Sequence, residues 1–401
     1  MLSKSDAIGG GAGRMANDLA RWLREAGHEA VHYAKGGAQP FGTTFRPAYG
    51  RGVRAAKRVE RMFLMNDVLP LEAGAVLRRL GGFRPDVVHV HDITTTFSVR
   101  TVEIISRRYP TLWTMHDQSP RTGGCITPWP CRRDEIGCGE CPQFPSWVLS
   151  GRRDLTAHVH AQKRRFFARS NAMLLTPSRS AADGFEAAAV LGGRSVDVAP
   201  NGIDLTKVRP VDQADARRWL GLPAEGPVIA LFAHTVDDPR KTAPSLHTAI
   251  GALADLRPFF VIMGNCANPG AFVDGQPFRH FGFVISDALK NVVLASADVF
   301  VNPSLGDTFS LTTLEALASG TPVAAYASGG IPDLTGSGPW AELVVPDDGV
   351  ALGAAVRRML TDGRLPAARA GARARAGLFD HRRMVARHLE LYSLAVERAA
   401  A

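Results

Sequence analysis

The stretch "DVFVNPSLGDTFSLTTLEALASGTPVAAYA", residues 298–327, places two short apolar runs on either side of an amphipathic segment. The outer runs predict strands, and the apolar spacing over 309–319 predicts a helix that packs onto a sheet. Gly320 and Pro322 end this helix, because glycine readily adopts the left-handed conformation and proline cannot continue a helix. A strand–helix–strand unit of this kind is typical of a parallel sheet covered on both faces.

The same alternation of apolar strands and helices extends over most of the 401 residues. A chain of this length exceeds what one hydrophobic core usually serves, so it predicts two domains. We therefore expect an α/β fold of two doubly wound, Rossmann-like parallel-sheet domains. The predicted helices, beyond the one already described, cover 13–26, 98–108, 154–170, 213–220, 243–255, 286–296 and 381–398.

The border between the domains falls near 200–213, where Pro-Asn-Gly makes a turn and the apolar pattern lapses. We predict an N-terminal domain over 1–205 and a C-terminal domain over 206–377. Residues 378–401 contain a final helix, which we expect to pack back across the domain junction.

Composition is that of a globular protein, with 45% hydrophobic and 21% charged residues. No apolar run approaches ~18 residues and the N-terminus lacks a signal-peptide pattern, so we expect a cytoplasmic protein. The net charge of +9 favours anionic partners, including nucleotides and an acidic membrane surface. An alternative is that the arginines only form solvated helix faces. No motif of a nucleic-acid-binding module is present, so we expect no nucleic-acid partner.

Ligands of open parallel sheets bind at the carboxyl ends of the strands, which draws attention to two loops. Asp307 precedes the helix over 309–319, whose first backbone N–H groups form a natural phosphate site. Glu315 lies inside this apolar helix, where a carboxylate is costly unless paired, and it could accept hydrogen bonds from a ribose. Arg240 and Lys241, in the loop after "PVIALFAH", could neutralise a diphosphate. Alternatively, Asp307 is only a helix N-cap and the basic pair is a solvated turn.

These stretches together resemble retaining glycosyltransferases of family 4. The resemblance rests on "PSLGDTFSLTTLEALASGTPVAAYASGGIPDL" and on four further motifs, so it covers nearly the whole chain. That family usually has an acid, seven residues and a Glu, and Asp307 and Glu315 keep this spacing although Asp replaces the commoner first Glu. The further motifs are "GGGAGRMANDLARWLREAGHE" at 9–29, "DVVHVHD" at 86–92, "NGID" at 201–204 and "DPRK" at 238–241.

The resemblance implies a GT-B fold, in which two Rossmann-like domains face a central cleft. It also implies transfer of a sugar from a nucleotide donor, UDP- or GDP-sugar, with retention of anomeric configuration and without a catalytic metal. The acceptor would be a glycan or lipid-linked oligosaccharide in bacterial cell-surface polysaccharide assembly, near the inner face of the membrane. Within the same fold a nucleotide-sugar epimerase and a glycan phosphorylase remain alternatives, and a non-catalytic nucleotide-binding protein is a third.

The family pattern also assigns roles to individual residues. Glu315 would bind the donor ribose, Asp307 the transferred sugar, and Arg240 with Lys241 the diphosphate. Gly10 and Gly11 would allow close backbone approach to donor and acceptor. The remaining assignments are the amides of Leu311, Thr312 and Thr313 at the distal phosphate, and His116 at the acceptor side of the cleft.

Two features depart from the pattern. The chain begins "MLSKSD", where the fold expects five or six apolar strand residues, so we expect either a shortened first strand or a start site that is not the natural one. An insertion over 121–145 holds four cysteines within seventeen residues. In a reducing compartment this spacing favours a structural zinc site over disulfides, with free thiols or a redox pair as alternatives. The cysteines are Cys125, Cys131, Cys138 and Cys141.

Overall fold

The computed structural model describes residues 1–5, 10–35, 46–63, 69–146, 148–149 and 151–400. The chain divides into two compact units, Met1–Pro200 together with Met384–Ala401, and Asn201–Arg383. Each unit contains one sheet in which the neighbouring strands pair in parallel. The prediction of two doubly wound α/β domains is therefore confirmed.

The first unit has a seven-stranded sheet in the order β3-β2-β1-β4-β5-β6-β7. Its strands are β1 (Leu2–Ser3), β2 (Tyr33–Ala34), β3 (Arg46–Pro47), β4 (Val88–Val90), β5 (Thr111–Thr114), β6 (Met173–Thr176) and β7 (Asp197–Val198). Its helices up to residue 200 are α1 (Gly11–Glu25), α2 (Arg51–Phe63), α3 (Ala73–Phe83), α4 (Val99–Ser106), α5 (Thr156–Phe167) and α6 (Arg179–Glu186).

The second unit has a six-stranded sheet in the order β10-β9-β8-β11-β12-β13. Its strands are β8 (Val228–Thr235), β9 (Phe259–Asn265), β10 (Phe278–His280), β11 (Val299–Asn302), β12 (Val323–Tyr326) and β13 (Ala341–Val344). Its helices are α7 (Gln213–Trp219), α8 (Leu246–Gly251), α9 (Asp287–Ser296), α10 (Leu311–Ala318), α11 (Ile331–Thr335), α12 (Gly349–Thr361) and α13 (Leu365–Ala376). The last helix, α14 (His381–Ala400), begins here and joins the first unit from Met384 onwards.

Both faces of the second sheet are buried, which explains its nearly continuous apolar strands. Side chains alternate between the two faces of a strand, so Phe300 packs into one core while Val299 and Val301 pack into the other. The helices that cover the two faces supply the rest of each core. Within the described residues no helix combines the length and the apolarity needed to cross a bilayer.

Helix α14 covers part of the first sheet. Its Leu391 and Ala395 pack with Leu112 of β5 and Leu175 of β6 in one buried cluster. The hydroxyl of Tyr392 lies 2.8 Å from Nδ1 of His89. The C-terminal residues of the chain therefore belong to the core of the first unit.

The interpretation of the arginines as solvated faces is wrong for helix α13. Arg369, Arg373 and Arg375 donate to backbone carbonyls, all but one of which lie near the carboxyl ends of other helices, where unpaired carbonyls favour cations. Burial accordingly lowers the pKa of all three. The acceptors are Ala295 and Ala297 at the end of α9, Ala318 at the end of α10 together with Val208, and Asp333 with Leu334 in α11.

Candidate active site

The order of the second sheet reverses between the adjacent strands β8 and β11. From β8 the chain continues to β9 on one side, and from β11 it continues to β12 on the other side, so the loops after β8 and β11 lie next to each other at the point where the direction of winding changes. This reversal marks the crevice where open α/β sheets bind their ligands. The loop after β8 carries Arg240 and Lys241, and the loop after β11 carries Asp307.

The loop after β8 is held by Asp238. The guanidinium of Arg240 donates to Oδ1 and Oδ2 of Asp238 at 2.9 and 2.6 Å. Burial opposes ionisation of Asp238, but the hydrogen bonds from Arg240 outweigh it and hold the pKa of this carboxyl below its ordinary value. The carbonyl of Arg240 accepts from the N–H of Leu305 at 3.0 Å, which joins this loop to the loop after β11.

Lys241 and Asp307 are brought together across the crevice. Nζ of Lys241 lies 2.7 Å from Oδ1 of Asp307, although 66 residues separate them in the chain. The two side chains are 37% and 21% exposed, so the ion pair stays accessible to a ligand. A lysine ammonium has three donor hydrogens, and Lys241 can therefore hold Asp307 and a phosphate oxygen at the same time.

Ser310, and not Asp307, caps helix α10. Its Oγ accepts from the N–H of Thr313 at 3.4 Å, and Asn302 donates to the same hydroxyl at 2.9 Å. Ser310 has a φ of 68°. The N-cap interpretation of Asp307 is therefore wrong, and the N–H of Thr313, assigned above to the distal phosphate together with those of Leu311 and Thr312, already has a partner.

Glu315 is buried on α10 and paired with a residue that the sequence reasoning missed. Nζ of Lys290, on α9, lies 2.7 Å from Oε1 of Glu315 and 2.9 Å from Oδ1 of Asp287. Glu315 is 8% exposed and Lys290 only 4%. The available signal was a lysine three residues after an acid on the buried face of a predicted helix.

In the first unit, Gly10 and Gly11 stand at the start of α1, in the connection that follows β1. Gly10 has a φ of 126°, a conformation that disfavours residues with a Cβ, although a Cβ built there would meet no atom within 4 Å. Gly9, the first residue of the motif quoted above, lies outside the described residues.

His116 follows β5 and lies beside another histidine. Its Nε2 is 3.0 Å from Nδ1 of His91, and the two rings stack at 14°. Burial, together with the charge of nearby His388, lowers the pKa of His116 to about 3, so the imidazole is neutral at physiological pH.

Two acids that the sequence reasoning passed over each follow one of these histidines in sequence, Asp92 after His91 and Asp117 after His116. Thr94 joins them, since its N–H donates to Oδ1 of Asp92 at 2.9 Å and its hydroxyl to Oδ2 of Asp117 at 2.8 Å. Burial and the charge of Asp117 raise the pKa of Asp92 to about 6. Perturbed acids at a ligand-binding edge are candidate functional groups.

The four cysteines of the insertion line one small cavity of about 20 Å³. Backbone N–H groups donate to two of the sulfurs, from Gly123 to Cys138 at 3.1 Å and from Arg133 to Cys131 at 3.4 Å. Burial raises the pKa of Cys125 to about 12 and that of Cys138 to about 11. All four are free thiols, and in the part of the chain described here no three His, Cys, Asp or Glu side chains are grouped so as to hold a metal ion.

Comparison with known families matches both units. Residues 9–207 match the model of Glycosyltransferase Family 4, and residues 227–362 match the model of Glycosyl transferases group 1. The two models together span most of the chain, in agreement with the resemblance drawn from the motifs.

Individual relatives share about a third of their residues or fewer with this chain. A D-inositol 3-phosphate glycosyltransferase from Geodermatophilus obscurus is 34% identical over 51% of this chain, and the match spans about half (48%) of that relative's length. An Escherichia coli strain K12 protein named as a colanic acid biosynthesis glycosyl transferase, WcaC, is 27% identical over 80% of both chains. Among solved structures, Anabaena Alr3699/HepE in complex with UDP-glucose superposes with a TM-score of 0.66 at 18% identity, covering 98% of both chains. At that identity the likeness shows the shared fold.

Proposed function

The chain belongs to Glycosyltransferase Family 4, and we propose that it transfers a sugar from a nucleoside diphosphate sugar to a hydroxyl of a glycan or glycolipid acceptor, with retention of anomeric configuration. One observation carries this proposal. At the switch point of the second sheet, Asp307 is paired with Lys241. Glu315 is buried in α10, the helix that follows the loop of Asp307, and is paired with Lys290. An acid at the sugar and an acid at the ribose are the contacts that such a donor requires.

The donor would lie along helix α10. Glu315 accepts hydrogen bonds from the ribose hydroxyls, and the N–H groups of Leu311 and Thr312 at the start of α10 face the distal phosphate. Arg240 and Lys241 lie beside the diphosphate, where fixed cations stabilise the charge that grows as the nucleotide leaves. Asp307 then contacts the transferred sugar while Lys241 bridges this carboxylate and a phosphate oxygen.

Retention needs no separate protein base in this proposal. The leaving phosphate takes the proton of the acceptor hydroxyl on the same face from which it departs, and the protein positions the two reactants. The backbone at Gly10 and Gly11 would approach donor and acceptor closely, and His116 would take part from the acceptor side. The neutral imidazole of His116 is suited to hydrogen bonding a sugar hydroxyl rather than to charge stabilisation.

The donor class draws support from Alr3699/HepE, which was solved with UDP-glucose, and we propose a UDP- or GDP-sugar. A role in surface polysaccharide assembly draws support from the similarity to WcaC. The net charge of +9 supports contact with an acidic membrane surface, on the cytoplasmic side.

The experiment is a transfer screen with UDP-, GDP-, ADP- and TDP-sugars against mixed glycan and lipid-linked acceptors. The expected result is acceptor-dependent release of nucleoside diphosphate, with the product's anomeric configuration, read by NMR, equal to that of the donor. Interconversion of the donor sugar without an acceptor would identify an epimerase, and a requirement for inorganic phosphate would identify a phosphorylase. Binding of a nucleotide sugar without transfer or hydrolysis would identify a non-catalytic nucleotide-binding protein.

We also propose that Cys125, Cys131, Cys138 and Cys141 bind one structural zinc ion outside the chemistry. Four thiolates satisfy tetrahedral zinc, the four side chains already line one cavity, and amide N–H groups donate to two of the sulfurs. Binding requires the sulfurs to move closer together than they stand.

The test is the zinc content of protein purified without added metal, with Cys266→Ser as the matched control, because Cys266 is a free thiol of the second unit, outside the insertion. About one zinc per chain, kept in Cys266→Ser and lost in Cys138→Ser, is expected; metal-free protein with full activity contradicts the proposal.

A further inference from the structure

Lys290 is a buried cation held between two carboxylates. Its ammonium lies 2.7 Å from Glu315 and 2.9 Å from Asp287, and its side chain is only 5% exposed. Asp287 stands one helical turn before Lys290 on α9, whereas Glu315 lies on the neighbouring helix α10. The ion pair between Lys290 and Glu315 therefore joins two helices. Helix α9 has no predicted contact with a ligand, whereas α10 carries the acid that is expected to bind the ribose.

If the only role of this ion pair were to hold α9 against α10, apolar side chains would serve at a lower cost in free energy. Withdrawing two charges from water costs several kcal/mol per ion, and apolar side chains of similar volume often serve a core equally well. Helix α9 is also tied to the connection that follows α10, because the hydroxyl of Thr321, three residues after the end of α10, donates to the carbonyl of Leu294 at 2.7 Å. The charge of Lys290 consequently calls for a reason beyond packing.

Charge balance at the crevice supplies this reason. Three cations, Arg240, Lys241 and Lys290, pair with four carboxylates, those of Asp238, Asp287, Asp307 and Glu315, so these ion pairs already carry one negative charge in excess. Without Lys290 the two carboxylates that it contacts would have lost their shared cation, close to where the nucleotide would enter. Unbalanced negative charge in a buried setting repels a phosphate strongly.

We propose that Lys290 is a positioning residue, which fixes the orientation and balances the charge of Glu315 so that this carboxylate can accept the ribose of a nucleoside diphosphate. The inference rests on the proposed function of the donor site. Because a carboxylate has about four lone-pair positions, Glu315 can keep the hydrogen bond from Lys290 while it accepts from ribose hydroxyls. Lys290 acts through Glu315 and need not touch the ligand.

The test compares Lys290→Met with Lys57→Met by calorimetric titration of UDP, GDP, uridine and guanosine. Lys57 is a chemically matched control, since it is also buried and lies 2.9 Å from Glu72, in the first unit. Both variants are expected to lower Tm. Only Lys290→Met is expected to weaken the nucleotide that wild type binds, on the order of 10- to 100-fold, as for one lost charge-assisted hydrogen bond. Lys290→Gln, with the same expected direction, replaces Lys290→Met if that variant does not fold.

A double-mutant cycle with Glu315→Gln separates positioning from a general defect. If Lys290 acts through Glu315, adding Lys290→Met to Glu315→Gln causes little further loss of affinity. Wild-type affinity in Lys290→Met, or equal losses in both backgrounds, would overturn the inference while leaving the donor site intact. Failure of wild type to bind any of the four ligands would instead remove the proposed UDP- or GDP-sugar donor, and this inference with it.

Discussion

Replacing Asp307 by alanine should separate catalysis from stability. The carboxylate forms an ion pair with Lys241, but the side chains are 21% and 37% exposed, and pairs this accessible contribute only ~0–1 kcal/mol to folding. Ser310 provides the cap of α10, so Asp307→Ala does not remove a helix cap. The free energy of unfolding should therefore fall by no more than about 1 kcal/mol.

The effect on transfer should be several times larger. Loss of one contact that strengthens in the transition state costs ~2–4 kcal/mol, which lowers kcat by roughly 30- to 1000-fold. Nucleotide affinity should change little, because Asp307 is assigned to the sugar.

The assay measures kcat and KM for nucleoside diphosphate release, beside a denaturant titration of the same preparations. Asp307→Asn serves as the second variant, since it preserves volume and removes only the charge. A variant that keeps wild-type kcat would refute the assignment of Asp307 to the transferred sugar. A loss of stability as large as the loss in transfer would show that Asp307 is structural.

Two further predictions concern the diphosphate and the buried histidines. Replacing both Arg240 and Lys241 by alanine should weaken binding of a nucleoside diphosphate far more than binding of the nucleoside, and equal losses would indicate a folding defect. Four histidines with exposures of 1–2% have their pKa lowered by burial, so below their ordinary pKa of ~6.5 the unfolded chain binds protons that the folded chain does not. Stability should thus fall from pH 7.5 to 5.5 by ~1.4 kcal/mol for each such histidine, and a Tm that holds or rises over this range would contradict it. The residues are His32, His89, His91 and His388.

The fold could be predicted because apolar periodicity and the rules of parallel sheets act together. Strand β9, "FFVIMGN", begins with five consecutive apolar residues, and it spans Phe259–Asn265 as its sequence suggests. Helix α13 could not be identified in the same way. It buries Ala368, Ala372 and Ala376, a stripe of small residues whose weak hydrophobicity is easily taken for a linker.

The sequence predicted which loops carry the site residues, but not which of those residues pair with one another. The rule for the carboxyl ends of strands led to both Arg240–Lys241 and Asp307, and the adjacency of β8 and β11 places their loops side by side. Which charges pair depends on loop conformation, and both Lys241 and Asp307 had been assigned to the ligand rather than to each other. Lys290 was missed because a lysine in an amphipathic helix usually lies on its solvated face.

The central claim is that the second unit binds a nucleoside diphosphate sugar through Glu315, and a thermal-shift screen of wild type and Glu315→Ala tests it most directly. UDP-, GDP-, ADP- and TDP-sugars are added to both proteins at equal concentration. A ligand present at 100 times its dissociation constant stabilises by ~2.7 kcal/mol, which raises Tm by several degrees. We predict that at least one of these donors raises the Tm of wild type and that the same donor leaves Glu315→Ala almost unchanged. No shift with any donor, or the same shift in both proteins, would contradict the account.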